Sequence, residues 1–217
     1  MNIEQARFNM VEQQIRPWNV LDLGVLELLS VVKREAFVPA AYQALAFADM
    51  EIPLGHGQCM LAPRLEARLL QDMAIQPHET VLEIGAGSGY MAALMAHRAH
   101  RVVSLEIVPE LAAMARNNLR AAGIQNAEVR QADGAASTAA EGNYDVIVLS
   151  GSVTEVPQSV LNLLRVGGRL AGIVGDEPVM CATLVTRTSA TEFTKRQPWD
   201  CNAPRLQGFA EPSRFQF

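Results

Sequence analysis

Thr80-Val81-Leu82-Glu83-Ile84-Gly85-Ala86-Gly87-Ser88-Gly89-Tyr90 decides the fold. Its first five residues read as a short, mostly apolar strand bounded by a Gly-rich turn, and a helical pattern follows from about 89 to 99. Glycines at every second position let the chain turn sharply and let a ligand approach the backbone. The unpaired N–H groups at the start of the next helix favour a polar or anionic group there.

Downstream the same alternation repeats. Residues 101–105 read as a strand, 109–122 as a helix with Pro109 in its first turn and Gly123 as its stop, and 127–131 as a strand. Residues 144–149 are a fourth strand, 156–164 a helix ending at Val166-Gly167-Gly168, and 169–174 a fifth strand. Such alternation predicts βαβ units and a parallel sheet with helices on both faces. The end differs: 180–187 and 192–198 are two strands joined by Thr188-Ser189-Ala190-Thr191 with no helix between them, so an antiparallel hairpin closes the sheet. The predicted class is therefore α/β and Rossmann-like.

Upstream the texture is helical. In residues 20–32, Leu21, Val25, Leu28, Leu29 and Val32 share one face, with Asp22 or Asn19 as cap. Ile52-Pro53-Leu54-Gly55-His56-Gly57-Gln58 reads as a loop. Residues 63–73 form a helix with Leu65, Leu69, Leu70 and Met73 together and Pro63 at its start. Residues 1–217 read as one domain, with a helical and loop segment over 1–75 and an α/β core over 76–217.

Bulk properties narrow the function. A chain of 217 residues can bury a large core without disulfide or metal staples. The net charge of −5 opposes phosphate-backbone binding as the main task, so no nucleic-acid partner is expected. Cys59, Cys181 and Cys201 are far apart and form no Cys-x-x-Cys, which fits a reducing compartment. With no signal-like start and no long apolar run, a cytoplasmic location and no membrane partner are expected.

The loop itself separates cofactor classes. Dinucleotide binders place a third Gly or Ala where Tyr90 stands. Glu83 lies two residues before the first glycine, where a carboxylate suits a cationic amino-acid group. Glu106, followed by Ile107, closes the second strand, where a carboxylate can accept ribose hydroxyls. Asp133-Gly134 follows the third strand, where an adenine amino group could be read. Glu83, Gly85, Ala86, Gly87, Ser88, Gly89, Glu106, Ile107, Asp133 and Gly134 thus form a predicted adenosyl-cofactor site, with S-adenosyl-L-methionine as the cofactor.

With these segments assembled, the chain resembles the protein-L-isoaspartate O-methyltransferase family. The likeness is carried by Asn9-Met10-Val11-Glu12-Gln13-Gln14-Ile15, Lys33-Arg34-Glu35-Ala36-Phe37-Val38-Pro39, Ile52 to Gln58, Val81 to Tyr90, Asp133-Gly134, Tyr144-Asp145 and Gly167-Gly168-Arg169-Leu170. The resemblance implies the S-adenosylmethionine-dependent methyltransferase fold and methyl transfer to the carboxylate of isoaspartyl residues in damaged proteins. It also implies a substrate loop at His56, Gly57, Gln58 and Cys59. The family continues after Gly-Gln with Thr-Ile-Ser and uses the Ser hydroxyl; Cys59-Met60-Leu61 stands here, so Leu61 occupies the catalytic position without a donor. Ser150-Gly151-Ser152 stands where small alanines are expected.

Two further readings stay open: a methyltransferase of the same fold acting on another acceptor, possibly a small molecule, and a non-catalytic cofactor-binding protein. An NAD-dependent oxidoreductase is disfavoured by Tyr90. No metal site is expected, because His97 and His100 lack a third ligand nearby; a favourable charge at a helix end is the simpler reading. His78 is expected at the surface. Met91, Met95 and Met114 are expected to fill core gaps, and Trp18 to pack the N-terminal helices. Trp199, Phe209, Phe215 and Phe217 are expected to dock on the sheet or on a partner.

Overall fold

The buried strands decide the architecture of the chain, whose computed structural model describes residues 2–136 and 142–211. Seven strands form one sheet: β3 (Thr80–Ile84), β4 (Arg101–Glu106), β5 (Ala127–Gln131), β6 (Tyr144–Val153), β7 (Leu164–Asp176), β8 (Val179–Arg187) and β9 (Phe193–Asp200). Their order is β5-β4-β3-β6-β7-β8-β9. The pairs β3·β4, β3·β6, β4·β5 and β6·β7 are parallel, whereas β7·β8 and β8·β9 are antiparallel. The chain reverses from β3–β4–β5 to β6 on the other side of β3. In open α/β sheets a crevice for ligands forms at that switch point, beyond the carboxyl ends of the strands.

Alternate strand residues serve two cores. Val81, Val102, Val146 and Val148 join one cluster with Leu69, Leu70, Tyr90, Leu94 and Ala112. Those partners come from α3 (Pro63–Met73), α4 (Tyr90–Ala96) and α5 (Pro109–Ala121). Leu82, Ile84, Val103, Ile147 and Leu170 face the other way and pack with Val160, Leu164 and Leu206. A period of two in the strands separates the faces; helical stripes cover the first, and Val160 and the C-terminal segment around Leu206 pack on the second.

The N-terminal segment covers the first core. It comprises α1 (Ile3–Asn9), a short π-helical stretch (Met10–Ile15) and α2 (Leu23–Val31), followed by 3₁₀ turns at Arg34–Ala36 and Ala40–Leu45. Asp22 caps α2, its side chain accepting from the Val25 N–H at 2.9 Å. The expected helix over 20–32 therefore starts later than predicted, and Leu21 is 60% exposed rather than on the buried face. Pro63 and Pro109 stand in the first turns of α3 and α5 as expected, and Gly123 follows α5 with φ +73°.

Three expectations need correction. The segment 52–58 is part of a hairpin, β1 (Ile52–Gly55) with β2 (Gln58–Met60), turning at His56-Gly57. Both turn residues have positive φ, +54° and +70°, the geometry that suits the right-handed twist of a two-residue hairpin. The helix expected over 156–164 is a single turn, α6 (Gln158–Leu161), because β7 already begins at Leu164. Strand β6 runs on through Ser150-Gly151-Ser152 to Val153, with a register irregularity after Val148.

Met91 and Met95 are buried and Met114 packs against the same cluster. His78 is exposed. Phe209 packs partly buried against the second core, while Phe215 and Phe217 lie outside the described residues. Trp199 donates to Asp72 at 2.8 Å, and Arg64 stacks over Trp18 at 4.4 Å. Among the described residues no helix is long and apolar enough to cross a membrane.

Candidate functional site

The glycine loop leaves β3 at the switch point of the sheet. Gly85 and Ala86 both donate to the Leu105 carbonyl, at 2.8 and 3.1 Å, which ties the loop to the end of β4. Gly85 has φ +95°, and a Cβ there would lie 2.6 Å from Leu206 Cδ2. Gly89 caps α4 in the left-handed region at φ +84°, and a Cβ there would lie 3.2 Å from the Ala115 backbone. These two positions admit only glycine, one for the turn against the C-terminal segment and one for close approach of α4 to α5.

Three carboxylates stand at the ends of the first three strands. Glu106 is buried, its Oε2 accepting from the Gly87 N–H at 2.8 Å and its Oε1 from the Val108 N–H at 3.0 Å. It therefore shapes the glycine loop directly. Asp133 accepts from the Ala135 N–H at 2.9 Å. A Cβ on Gly208 would lie 2.5 Å from Asp133 Oδ1, and a Cβ on Gly134 would lie 2.3 Å from Ile84 Cγ2. Glu83 is fully buried and accepts from Ser150 Oγ at 2.7 Å and from Ser104 Oγ. Burial pushes its carboxyl up to about 7; the two hydroxyls oppose that, and the charges of Glu66 and Glu106 add to it.

Two small cavities flank the loop. One is bordered by Ile84, Gly85, Leu105, Glu106, Ile107 and Gly134, with Gln58, Leu206 and Gln207 closing it. The other is bordered by Cys59, Met60 and Leu61 on one side and by Glu83 and Gly85 to Ser88 on the other, with Glu66, Tyr90 and Ser150 beneath. Each holds about 20 Å³, the room of roughly one water. Leu206 against Gly85 and Leu54 against Gly87 (3.1 Å from an added Cβ) occupy the adjoining space. Larger recesses of about 400 and 360 Å³ lie along the C-terminal end of α5 and contain none of the predicted site residues.

The predicted residues thus fall into two groups. Gln58, Cys59 and Leu61 reach the cavities together with Glu83, Gly85, Ala86, Gly87, Ser88, Glu106, Ile107 and Gly134. His56 and Gly57 do not; they are exposed at the tip of the hairpin. Asp133 stands beside the first cavity under Gly208. Cys59 faces Glu51 at 3.7 Å, and burial with that carboxylate pushes its thiol up to about 12, so it is an un-ionised thiol near neutral pH. Leu61 is 4% exposed. His97 is the C-cap residue of α4, and among the described residues no three His, Cys, Asp or Glu side chains group as a metal site.

Three contributors had gone unassigned from the sequence. Leu206 arrives from the C-terminal segment, which Ser152 holds by donating its N–H to the Pro204 carbonyl and accepting from the Leu206 N–H at its own carbonyl. Arg34 and Glu66 form a fully buried ion pair behind Leu61. Arg34 also donates through Nη2 to the Leu61 carbonyl at 2.7 Å and through Nε to the Ala46 carbonyl at 3.1 Å, with its guanidinium 5.0 Å from the Tyr90 ring centre. The sequence did hold a signal for Glu66: it shares the buried stripe of α3 with Leu69, Leu70 and Met73 at i+3, i+4 and i+7.

The donor set fits an adenosyl cofactor better than a pyrophosphate. The crevice presents carboxylates at Glu83, Glu106 and Asp133, and the guanidinium of Arg34 is taken by Glu66 and two carbonyls.

Comparison with known proteins agrees. Residues 5–200 match the family model described as Protein-L-isoaspartate(D-aspartate) O-methyltransferase (PCMT). A protein-L-isoaspartate O-methyltransferase of Methanoculleus marisnigri is 41% identical over 181 residues, covering 83% of this chain and 81% of that one. A protein-L-isoaspartate O-methyltransferase 1 of Rhodopseudomonas palustris is 40% identical over 203 residues, covering 93% and 83%. A Plasmodium falciparum PCMT structure, solved in complex with S-adenosyl-L-homocysteine, superposes with a TM-score of 0.79 at 19% identity, covering 95% and 99%.

Proposed function

This chain belongs to the protein-L-isoaspartate(D-aspartate) O-methyltransferase family, and from that premise we propose where and how it works. It is an S-adenosylmethionine-dependent methyltransferase acting on isoaspartyl protein substrates. One observation supports this reading of the site: Cys59 to Leu61 and the glycine loop Gly85 to Ser88 line one cavity together with Glu83. In this reading the N-terminal segment supplies the acceptor wall and the α/β core the cofactor wall, so residues 1–217 act as one unit. The three cysteines, present as free thiols, support work in the cytoplasm.

The reaction asks little acid–base chemistry of the protein. An isoaspartyl α-carboxylate is ionised near neutral pH, so no general base is needed. Bound in the crevice, S-adenosylmethionine supplies a methyl group on a sulfonium, a good leaving group. Glu106 and Asp133 hold the nucleoside, Glu83 gives the amino-acid end a negative neighbour, and the hairpin orients the acceptor. Rate then comes from holding the reactants close and in line. Labelled cofactor offered with an isoaspartyl peptide and its aspartyl isomer tests this. Methyl incorporation into the first alone is expected, and incorporation into neither refutes the assignment.

A second reading rests on Leu61. A buried aliphatic side chain stands where the family supplies a hydroxyl, which favours an acceptor less dependent on a hydrogen bond at that point. Methylation of small carboxylic acids or alcohols in preference to isoaspartyl peptide would select it.

A further inference from the structure

Glu66 is a buried carboxylate that the proposed reaction does not use. It is 3% exposed, and it lines the same cavity as Leu61 and Glu83. Four groups with charge or a titratable proton face it or share that cavity. Arg34, on the 3₁₀ turn of the N-terminal segment, pairs with it directly. On β3, the Glu83 carboxyl is pushed up chiefly by burial, and the charge of Glu66 adds to that push. Tyr90 on α4 and Cys59 on β2 complete the set, and burial pushes the phenol and the thiol well above their ordinary ranges, so both are neutral. With both acids ionised, the floor of the cavity therefore carries one positive and two negative charges.

A floor of net negative charge treats the two reactants oppositely. It favours the ammonium and sulfonium of the donor and opposes the α-carboxylate of the acceptor. A hydroxyl at position 61 could offset that opposition, but Leu61 has none. Resting on the acceptor reading above, we propose that Glu66 is a specificity-determining residue. When ionised it opposes an anionic acceptor, and when neutral it leaves the Arg34 guanidinium to attract one.

The geometry separates this role from simple scaffolding. Arg34 also donates to the Leu61 and Ala46 carbonyls, so the wall has anchors that do not pass through the Glu66 carboxylate. Burial holds the Glu66 carboxyl up at about 7 against the opposing pull of Arg34, which puts the change within the working range. Glu83 titrates in the same range, so a profile of the native protein belongs to the pair, and a variant is needed to divide it.

The test compares two ligands by calorimetry on the adenosylhomocysteine complex: an isoaspartyl peptide free of histidine, and the same peptide with its α-carboxylate converted to an amide. For the native protein, the preference for the amide should grow about tenfold between about pH 6 and about pH 8.5. Glu66→Gln should strengthen binding of the carboxylate peptide about tenfold at the upper end, leave the amide within about threefold, and shrink the pH dependence. An amide-to-carboxylate ratio unchanged by the substitution overturns the proposal, and continued methylation in that case leaves the acceptor reading standing. Failure of both peptides to bind at every pH, with no methylation of the isoaspartyl peptide, overturns both. Should the variant not fold, a flat ratio across pH in the native protein is sufficient to overturn the proposal.

Discussion

Replacing Glu106 with glutamine tests the cofactor wall at the point where the structure makes its strongest demand. The carboxylate is 5% exposed and holds two backbone N–H groups, Gly87 at 2.8 Å and Val108 at 3.0 Å. A glutamine has one acceptor oxygen, so it satisfies one N–H and turns its amide NH₂ toward the other. Losing a charge-assisted bond costs about 1.5–3 kcal/mol and leaves a donor facing a donor. The glycine loop bears that cost, since the Gly87 N–H is the group held. The ribose also loses a negative acceptor, which adds about 1 kcal/mol. Together these predict a loss of about 2.5–4 kcal/mol in cofactor binding, a rise in Kd of about 70- to 1,000-fold. Calorimetric titration of adenosylhomocysteine reads it directly. A melting temperature measured without ligand shows how much of the loss is loop stability. A variant binding adenosylhomocysteine within about threefold of the native protein would refute the assignment of Glu106 and, with it, the orientation of the nucleoside.

Three further outcomes are expected. Leu61→Ser should raise kcat/KM for an isoaspartyl peptide by about 10- to 100-fold if the missing hydroxyl limits the native protein, and steady-state kinetics with no gain would favour a different acceptor. Ala74, the C-cap residue of α3, has φ +43°, so Ala74→Gly should stabilise by about 0.5–1 kcal/mol and raise Tm by a few degrees, read by thermal melts. Arg169 clasps Glu79 through Nη1 and Nη2 at 2.7 and 2.9 Å and donates through Nε to the Met73 carbonyl at 2.6 Å, so Arg169→Ala should cost about 2–4 kcal/mol in denaturant unfolding. Burial pushes the Glu79 carboxyl up, but the Arg169 fork and the Gln76 N–H outweigh it and hold the group below its ordinary range. A depressed carboxylate stabilises the fold above its unfolded pKa, and that contribution fades as pH falls through the folded one. The native protein should therefore lose more stability than the variant on acidification below about pH 4.5, and parallel acid profiles would contradict the pairing.

Much of the scaffold was legible because local chemistry and tertiary packing agree. The short apolar run from Thr80 to Ile84, the turn at Gly85 and Gly89, and the prolines at Pro63 and Pro109 each permit few conformations, and all of them recur in the fold. The hairpin of β1 and β2 was less legible. Its Gly and Pro content reads as a loop, although the inward alternation of Ile52, Leu54 and Met60 around His56-Gly57 was there to be counted. The short α6 and the long β6 were not legible: an apolar run bounded by Gly fits either state, and burial beneath Leu206 and Pro204 settles it for Ser150 to Val153.

The chain's own letters were enough to single out the glycine loop and the carboxylates that accompany it, because these lie at the ends of consecutive strands and each is read within a few residues. The tertiary structure alone decided what surrounds that loop. Leu206 closes over Gly85 from 121 positions away, and Arg34 meets Glu66 and Leu61 across 32 and 27 residues. No local rule carries such distances. A buried guanidinium is costly unless acceptors meet its donors, and only the folded chain brings those of Arg34 together.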